Sequence, residues 1–394
     1  MSERINVMKP WLGPEEIEAV SRVIASGWVA QGPRTTEFER AFSAAHEVSH
    51  GVATSSCTTA LHLALVVAGV KAGDDVIVPS FSFIATANAV TYLGARPVFA
   101  DVDLLTGNVT ADTLGAVLTP LTTAVIAVDQ GGMPVDLDPI RDLCDRHSLA
   151  LIEDAACGAG STYRGRPVGA GADVTAWSFH PRKILTTGEG GMLTTDNPEW
   201  AARARRLREH SMDVSAAERH TSILPVQESY PEVGFNFRMT DLQAAMGLVQ
   251  LGKLAEMVRR RRALANDYRA VLSTMPGLRY ITDPDYGTSN FQSFWIEVLP
   301  DFPLNREELL EWLATDGISA RRGIMAAHRQ GAYAGHSGVV TALPVTERLT
   351  DNTLILPVFH AMTESEHRQV TDSIRAASES PRTVRHRSTP IGCP

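Results

Sequence analysis

The sequence predicts an α/β protein with a mainly parallel central sheet, followed by a smaller α+β C-terminal domain. Three observations carry this. Short apolar runs of the kind that form buried strands alternate with helical segments from about residue 58 to 210. Near residue 239 the alternation stops and one long helical stretch takes over. The 394 residues are enough for two domains with a large buried core. The expected division is 1–250 for the larger domain, 251–379 for the smaller and 380–394 for a tail.

The elements follow in order. PEEIEAVSRVIASG (14–27) has the helical period, with Pro14 placed for a first turn and Gly27 for a stop. A second helix is expected over TTEFERAFSAAHEV (35–48), and TTALHLALVVAG (58–69) is a strongly apolar helix closed by Gly69. DDVIVP (74–79) is a buried strand, FIATANAVTYLG (83–94) a helix and RPVFADV (96–102) a strand. TTAVIAVD (122–129), LALIEDAA (149–156), ADVTAWSF (172–179) and GGMLTT (190–195) are strands, with helices at DPIRDLCDRHS (138–148) and PEWAARARRLREH (198–210). Residues 240–273 form a long helix with a capping signal at Thr240/Asp241. Beyond it come a strand at 292–299 and helices at 305–317 and 364–378. The polar tail 380–394, with three prolines, is expected to be disordered.

Bulk properties exclude several classes. A net charge of -9 leaves no electrostatic footprint for nucleic acid. No apolar run reaches the roughly 18 residues of a membrane span, and the N-terminus lacks the apolar core of a signal peptide, so a cytoplasmic protein is expected. Cys57, Cys144, Cys157 and Cys393 form no CxxC pair, and the histidines show no HExxH spacing, so no metal site or disulfide framework is expected. The nearest glycine run, GAGAD (169–173), leads into a strand and not a helix, which rejects a dinucleotide fingerprint.

Chemistry concentrates in three stretches. LIEDAACGAG (151–160) ends a strand in Glu153-Asp154, where an acid meets a cation on a ligand or merely caps a turn. WSFHPRKILTTGEGG (177–191) brings Ser178 and Lys183 to the same edge, with glycines that permit close backbone approach. Lys183 is one of only four lysines among 36 Lys+Arg; lysine can lose its proton and attack a carbonyl, which arginine cannot. A lone lysine on a hairpin loop is otherwise a surface residue. ATSSCTTALHLAL (53–65) runs small hydroxyl residues into a helix start, which is either an ordinary N-cap or an anion site. A ligand with a phosphate, a carbonyl and a basic ring nitrogen would use all three, and pyridoxal 5'-phosphate (PLP) has those features. The helix start near Cys57 and Thr58, with Ser178, would hold the phosphate. Lys183 would form the Schiff base, and Asp154 would keep the ring nitrogen protonated.

With these motifs together the chain resembles the DegT/StrS-type sugar aminotransferases of PLP fold type I, the aspartate aminotransferase-like fold. The resemblance runs from WLGPEE (11–16) to LPVFHAMTESE (356–366). SSCTTALHLAL is similar to the family's phosphate-binding helix start, with Cys57 where glycine is usual. VPSFSFIATANAV (78–90) is similar to the segment whose aromatic, here Phe83, stacks on the cofactor ring. LIEDAAC carries the family's aspartate at Asp154, with Cys157 where histidine or glutamine contacts the cofactor in relatives. GFNFRMTDLQAAMGLVQL (234–251) matches a signature whose asparagine, here Asn236, reaches the phosphate in the neighbouring subunit. The resemblance thus implies a homodimer with shared active sites.

The implied reaction is ping-pong transfer of an amino group from an amino acid, with L-glutamate expected, to a keto sugar, with a nucleotide-linked one expected. Keto-inositols and other cyclic ketones are the alternative acceptors. Lys183 would act as general base and acid, which requires its pKa to be lowered by desolvation and a nearby cation. Relatives that dehydrate sugars carry histidine in place of this lysine, so retained Lys183 favours transamination; His180, three residues earlier, is not that replacement. A PLP-binding regulator would need a DNA-binding module ahead of residue 11, and an inactive subunit would have lost Asp154 or Lys183. On the substrate side the candidates are His180, Arg322 and His328, with Arg322 suited to a carboxylate or diphosphate.

Overall fold

A computed structural model describes residues 4–214, 227–335 and 342–380. The expected tail, apart from Ser380, lies outside the described residues.

Seven strands build the main sheet: β1 (His50–Thr54), β2 (Asp75–Pro79), β3 (Arg96–Ala100), β4 (Thr122–Val128), β5 (Ala150–Asp154), β8 (Val174–Ser178) and β9 (Gly191–Thr195). The short β6 (Thr162–Tyr163) and β7 (Arg166–Pro167) lie between β5 and β8 in the chain and pair in a separate sheet with β11 (Gly287–Thr288). The main sheet runs in the order β1-β9-β8-β5-β4-β2-β3. Only β9 is antiparallel to its neighbours; the other pairings are parallel. Parallel strands are covered on both faces, and β2, β4 and β5 are accordingly apolar along most of their length. The covering helices are α1 (Pro14–Ser26), α2 (Pro33–Ala45), α3 (Cys57–Val67), α4 (Ala85–Thr91), α5 (Ala111–Gly115), α6 (Leu137–His147) and α7 (Pro198–Leu207). Fold class and most expected elements agree with the sequence reading. β1 was not expected: HGVAT is short and runs straight into the hydroxyl residues ahead of α3.

The long helix α8 (Asp241–Leu272) starts at Thr240, whose hydroxyl accepts from the Gln243 N–H in a capping box. The buried Asp241 carboxylate accepts from the N–H groups of Gly32 and Thr35, at 2.8 and 2.9 Å, and so fastens the start of α2 to the start of α8. The boundary expected at 250–251 falls inside this unbroken helix.

Behind it a four-stranded antiparallel sheet runs β10 (Leu278–Tyr280), β12 (Phe294–Val298), β14 (Thr353–Leu356), β13 (Arg321–Arg322). It packs with α9 (Arg306–Thr315), α10 (Pro344–Asn352) and α11 (Glu364–Ser378). The N-terminal segment belongs with this layer: Ile5 bridges to Ile318 and is buried among its apolar residues.

Candidate active site

The chemistry gathers at the carboxyl edge of the main sheet, where open α/β sheets bind ligands. Asp154 is the last residue of β5 and is buried. Its Oδ2 accepts from Thr86 Oγ1 at 2.9 Å and its Oδ1 from the Ala156 N–H at 3.2 Å. Burial pushes the carboxyl above its ordinary value, opposed by those two bonds and by Lys183. Thr86 is a site residue that sequence reading passed over, because a threonine inside a helical stretch carries no signal of its own.

Lys183 follows β8 after a tight turn in which its N–H donates to the His180 carbonyl at 2.8 Å. Its Nζ donates to Cys157 Sγ at 3.0 Å. Burial acts against the ammonium, but Cys157, Cys57 and Asp154 outweigh it and hold the amine above its ordinary value. This reverses the expected lowering: the groups that face Lys183 are two thiols and a carboxylate, not a cation. Cys57 Sγ lies 4.0 Å from Asp154 Oδ1, and burial beside that carboxyl pushes its thiol well up.

The lysine loop is clamped by the segment that leads into β12. Gln292 Oε1 accepts from the Ile184 N–H at 2.6 Å, and its Nε2 donates to the Arg182 carbonyl at 2.7 Å. The two bonds flank Lys183. Asn290 does the same for the loop after β5, donating to the carbonyls of Cys157 and Ala159, both at 2.7 Å. Neither residue was singled out in the sequence, since both lie in an irregular run just ahead of β12.

Cys57 and Thr58 open α3, whose first-turn N–H groups have no intrahelical acceptor. The Ser56 hydroxyl takes only the Thr59 N–H, at 3.2 Å. β9 lies hard against this turn: a Cβ on Gly191 would stand 2.4 Å from the Ser56 carbonyl carbon and 2.6 Å from the Cys57 nitrogen. Ser178 pairs with that same Gly191 across β8 and β9. The helix start, Ser178 and Lys183 are therefore neighbours.

Phe83 sits on the turn before α4 and is 59% exposed; the Thr86 N–H bonds to its carbonyl at 3.2 Å. Asn236 is exposed, on a segment whose Phe237 carbonyl accepts from the Ser55 N–H at 2.8 Å. Phe235 and Phe237 stack at 4.8 Å beside His62 of α3, which anchors the segment to that helix.

The substrate candidates separate. His180 belongs to the lysine turn: its Nδ1 accepts from the Arg182 N–H at 3.2 Å. His328 is occupied at both nitrogens, Nδ1 with Ser80 Oγ at 2.6 Å and Nε2 with Glu347 Oε1 at 3.3 Å. Arg322 is exposed and donates to Glu307 at 2.7 Å. Among the described residues no group of three or more His, Cys, Asp and Glu side chains could hold a metal ion, and no helix is long and apolar enough to cross a membrane.

Comparison with known proteins finds relatives over nearly the whole chain. The chain is 37% identical over 384 residues to the dTDP-4-dehydro-2,3,6-trideoxy-D-glucose 4-aminotransferase of Saccharopolyspora spinosa, covering 95% of this chain and 97% of that one. It is similar to the solved aminotransferase TlmJ of Streptoalloteichus hindustanus, with TM-score 0.87 and 39% identity over 95% of this chain and 98% of that one. It is also similar to DesI, solved in the presence of its TDP-sugar product, with TM-score 0.87 and 32% identity over 96% of this chain and 94% of that one. Residues 10–375 match the model of the DegT/DnrJ/EryC1/StrS aminotransferase family, and the chain belongs to that family.

Proposed function

We propose that this aminotransferase uses PLP to move an amino group from L-glutamate to a keto sugar carried on a TDP nucleotide. The observation that carries the reading is the meeting of Lys183, Asp154 and the open first turn of α3 at one sheet edge. The sugar class is supported by the names of the relatives, one a dTDP-sugar 4-aminotransferase and one solved with a TDP-sugar product.

The residues present fit the cofactor. A buried carboxyl at the end of β5 suits a protonated ring nitrogen, and burial strengthens that pair. The first-turn N–H groups of α3 at Cys57 and Thr58, with Ser178, suit a phosphate. Phe83 is exposed and available to a ring face, and Cys157 lies beside the amine. When bound, PLP supplies an electron sink for the carbanion left when an amino acid loses its α-proton. Lys183 would hold the cofactor through its amine and, once the amine of the incoming amino acid has displaced it, would be free to take the α-proton and return it. Asp154 fixes the ring's proton. Asn236, exposed on its segment, serves the phosphate of a partner subunit in a homodimer with shared sites.

The test is the visible absorption of the protein with PLP, before and after L-glutamate, beside Lys183→Ala. A band that glutamate bleaches in the wild type, and that Lys183→Ala does not form through its own side chain, supports the reading. A band that glutamate leaves unchanged refutes the donor, and no band refutes the role of Lys183.

A further inference from the structure

The small antiparallel sheet presents two unlike faces. Cross-strand partners in a sheet share a face. Arg322 aligns with Leu354, and Leu354 with Ile296. On that side α9 supplies Glu307, which takes the Arg322 guanidinium. Arg321 aligns instead with Ile355, and Ile355 with Trp295. This face turns toward the main sheet: a Cβ on Gly131, in the turn after β4, would lie 3.8 Å from Trp295 Cδ1. Arg321 is thus on the side of the sheet edge that carries Lys183.

Arg182 comes to the same place from the other direction. It immediately precedes Lys183, and its carbonyl is held by Gln292, three residues ahead of Trp295. Burial and the positive charge of Arg182 together draw the Arg321 guanidinium below its ordinary value, so the two cations sense each other. Nearby arginines of the small domain are paired: Arg322 with Glu307, Arg329 with Asp351, Arg348 with Glu297. Among the described residues neither Arg182 nor Arg321 has a carboxylate partner. Both arginines are exposed, and two like charges brought near each other repel unless an anion joins them.

We propose that Arg182 and Arg321 form an oxyanion subsite beside Lys183 that takes a carboxylate or diphosphate of the substrate. The subsite rests on the aminotransferase reading above, and it replaces Arg322 as the substrate-binding arginine of this segment. Guanidinium groups suit both oxyanions because they donate in a planar fork.

The test uses the PLP-loaded protein and the variants Arg182→Gln, Arg321→Gln and Arg322→Gln. One arm follows the concentration dependence of the absorbance change with L-glutamate; the other measures dTDP binding by calorimetry. Losing a charge-assisted bond is expected to weaken binding roughly 10- to 100-fold. Both Arg182→Gln and Arg321→Gln should show this in at least one arm, while Arg322→Gln stays within about two-fold of the wild type. A loss confined to glutamate assigns the subsite to a carboxylate, and a loss confined to dTDP assigns it to a diphosphate. If the wild type responds and both variants match it, the subsite is overturned alone. If the wild type responds to neither probe, the proposed glutamate donor and TDP-sugar acceptor fall and the subsite with them.

Discussion

Replacing Gln292 with alanine removes a clamp that touches no reacting atom yet brackets Lys183. Gln292 is itself well fixed: its N–H donates to Asn290 Oδ1 at 2.6 Å, and its carbonyl accepts from the fully buried Arg261 at 3.3 Å. The substitution frees the Arg182 carbonyl, which lies at an exposed residue and regains water, a loss of about 1 kcal/mol. It also strands the N–H of Ile184, a residue only 2% exposed, which adds roughly 2 kcal/mol. At ~2.1 cal/mol/K per residue, the 394-residue chain has an unfolding entropy of roughly 0.8 kcal/mol/K, so a loss of ~3 kcal/mol lowers Tm by about 4 °C. The effect on rate is larger in proportion, because a displacement of about 1 Å in a reacting group costs on the order of 100-fold. Single-turnover bleaching by L-glutamate reads the rate, and hydrogen exchange at the Ile184 amide reads the clamp. Gln292→Glu keeps the acceptor for Ile184 but loses the donor to Arg182, so it should fall between. A Gln292→Ala protein with wild-type turnover and a protected Ile184 amide would show that the clamp does not place Lys183.

Asp154→Asn keeps the shape and, at its amide oxygen, the bond from the Ala156 N–H; its amide nitrogen turns the Thr86 bond round and donates to Thr86 Oγ1, and the substitution removes a charge that burial disfavours. The cofactor-free protein should melt within about 1 kcal/mol of the wild type while activity falls at least ~100-fold, and equal losses in both would refute a charge-specific role. Glu153 has its pKa raised from 4.5 to about 7 by burial, opposed by Thr175 and the Gly169 segment. The folded chain therefore holds a proton that the unfolded chain has lost above 4.5, and stability falls as pH rises through about 7 by on the order of 3 kcal/mol. Urea titrations of wild type and Glu153→Gln from pH 5 to 8 should diverge in that direction, and parallel curves would dismiss Glu153 as the titrating group. Gly191→Ala forces a Cβ into the backbone of Ser56 and Cys57, at a cost of about 3 kcal/mol, and should abolish PLP retention in whatever protein remains soluble; normal PLP retention would disprove the tight docking of β9 on α3.

The sequence made the large domain legible because its signals are local. β2, β4 and β5 are short apolar runs between turn residues, and α8 carries its capping box in TDLQ. Lys183 and Asp154 were legible for another reason: Asp154 ends a strand and Lys183 follows one, and strand ends share one edge in a parallel sheet. What stayed hidden depends on distance along the chain. Gln292 meets the lysine loop across 108 residues, and Thr86 meets Asp154 across 68, with no periodicity to announce either. Arg321 and Arg322 show the limit sharply. Adjacent residues on a strand face opposite ways, so the sequence could not separate Arg321 from Arg322, and only the register of β13 on β14 puts them on opposite faces of the sheet.

That edge also explains how the site can favour a charged amine in one state and a neutral one in another. Burial alone would discharge Lys183; Cys157, Cys57 and Asp154 prevent it. Of these, Cys157 is the largest and is hydrogen-bonded to Nζ, and Asp154 is the one carboxyl among them. Under the proposed function Asp154 faces a protonated ring nitrogen. A carboxylate committed to that cation lends less support to the Lys183 ammonium, and burial then works toward the neutral amine that chemistry requires. Asp154 would in this way couple occupancy of the site to activation of the lysine. The strength of the coupling rests with Cys157, the hydrogen-bonded partner of Nζ.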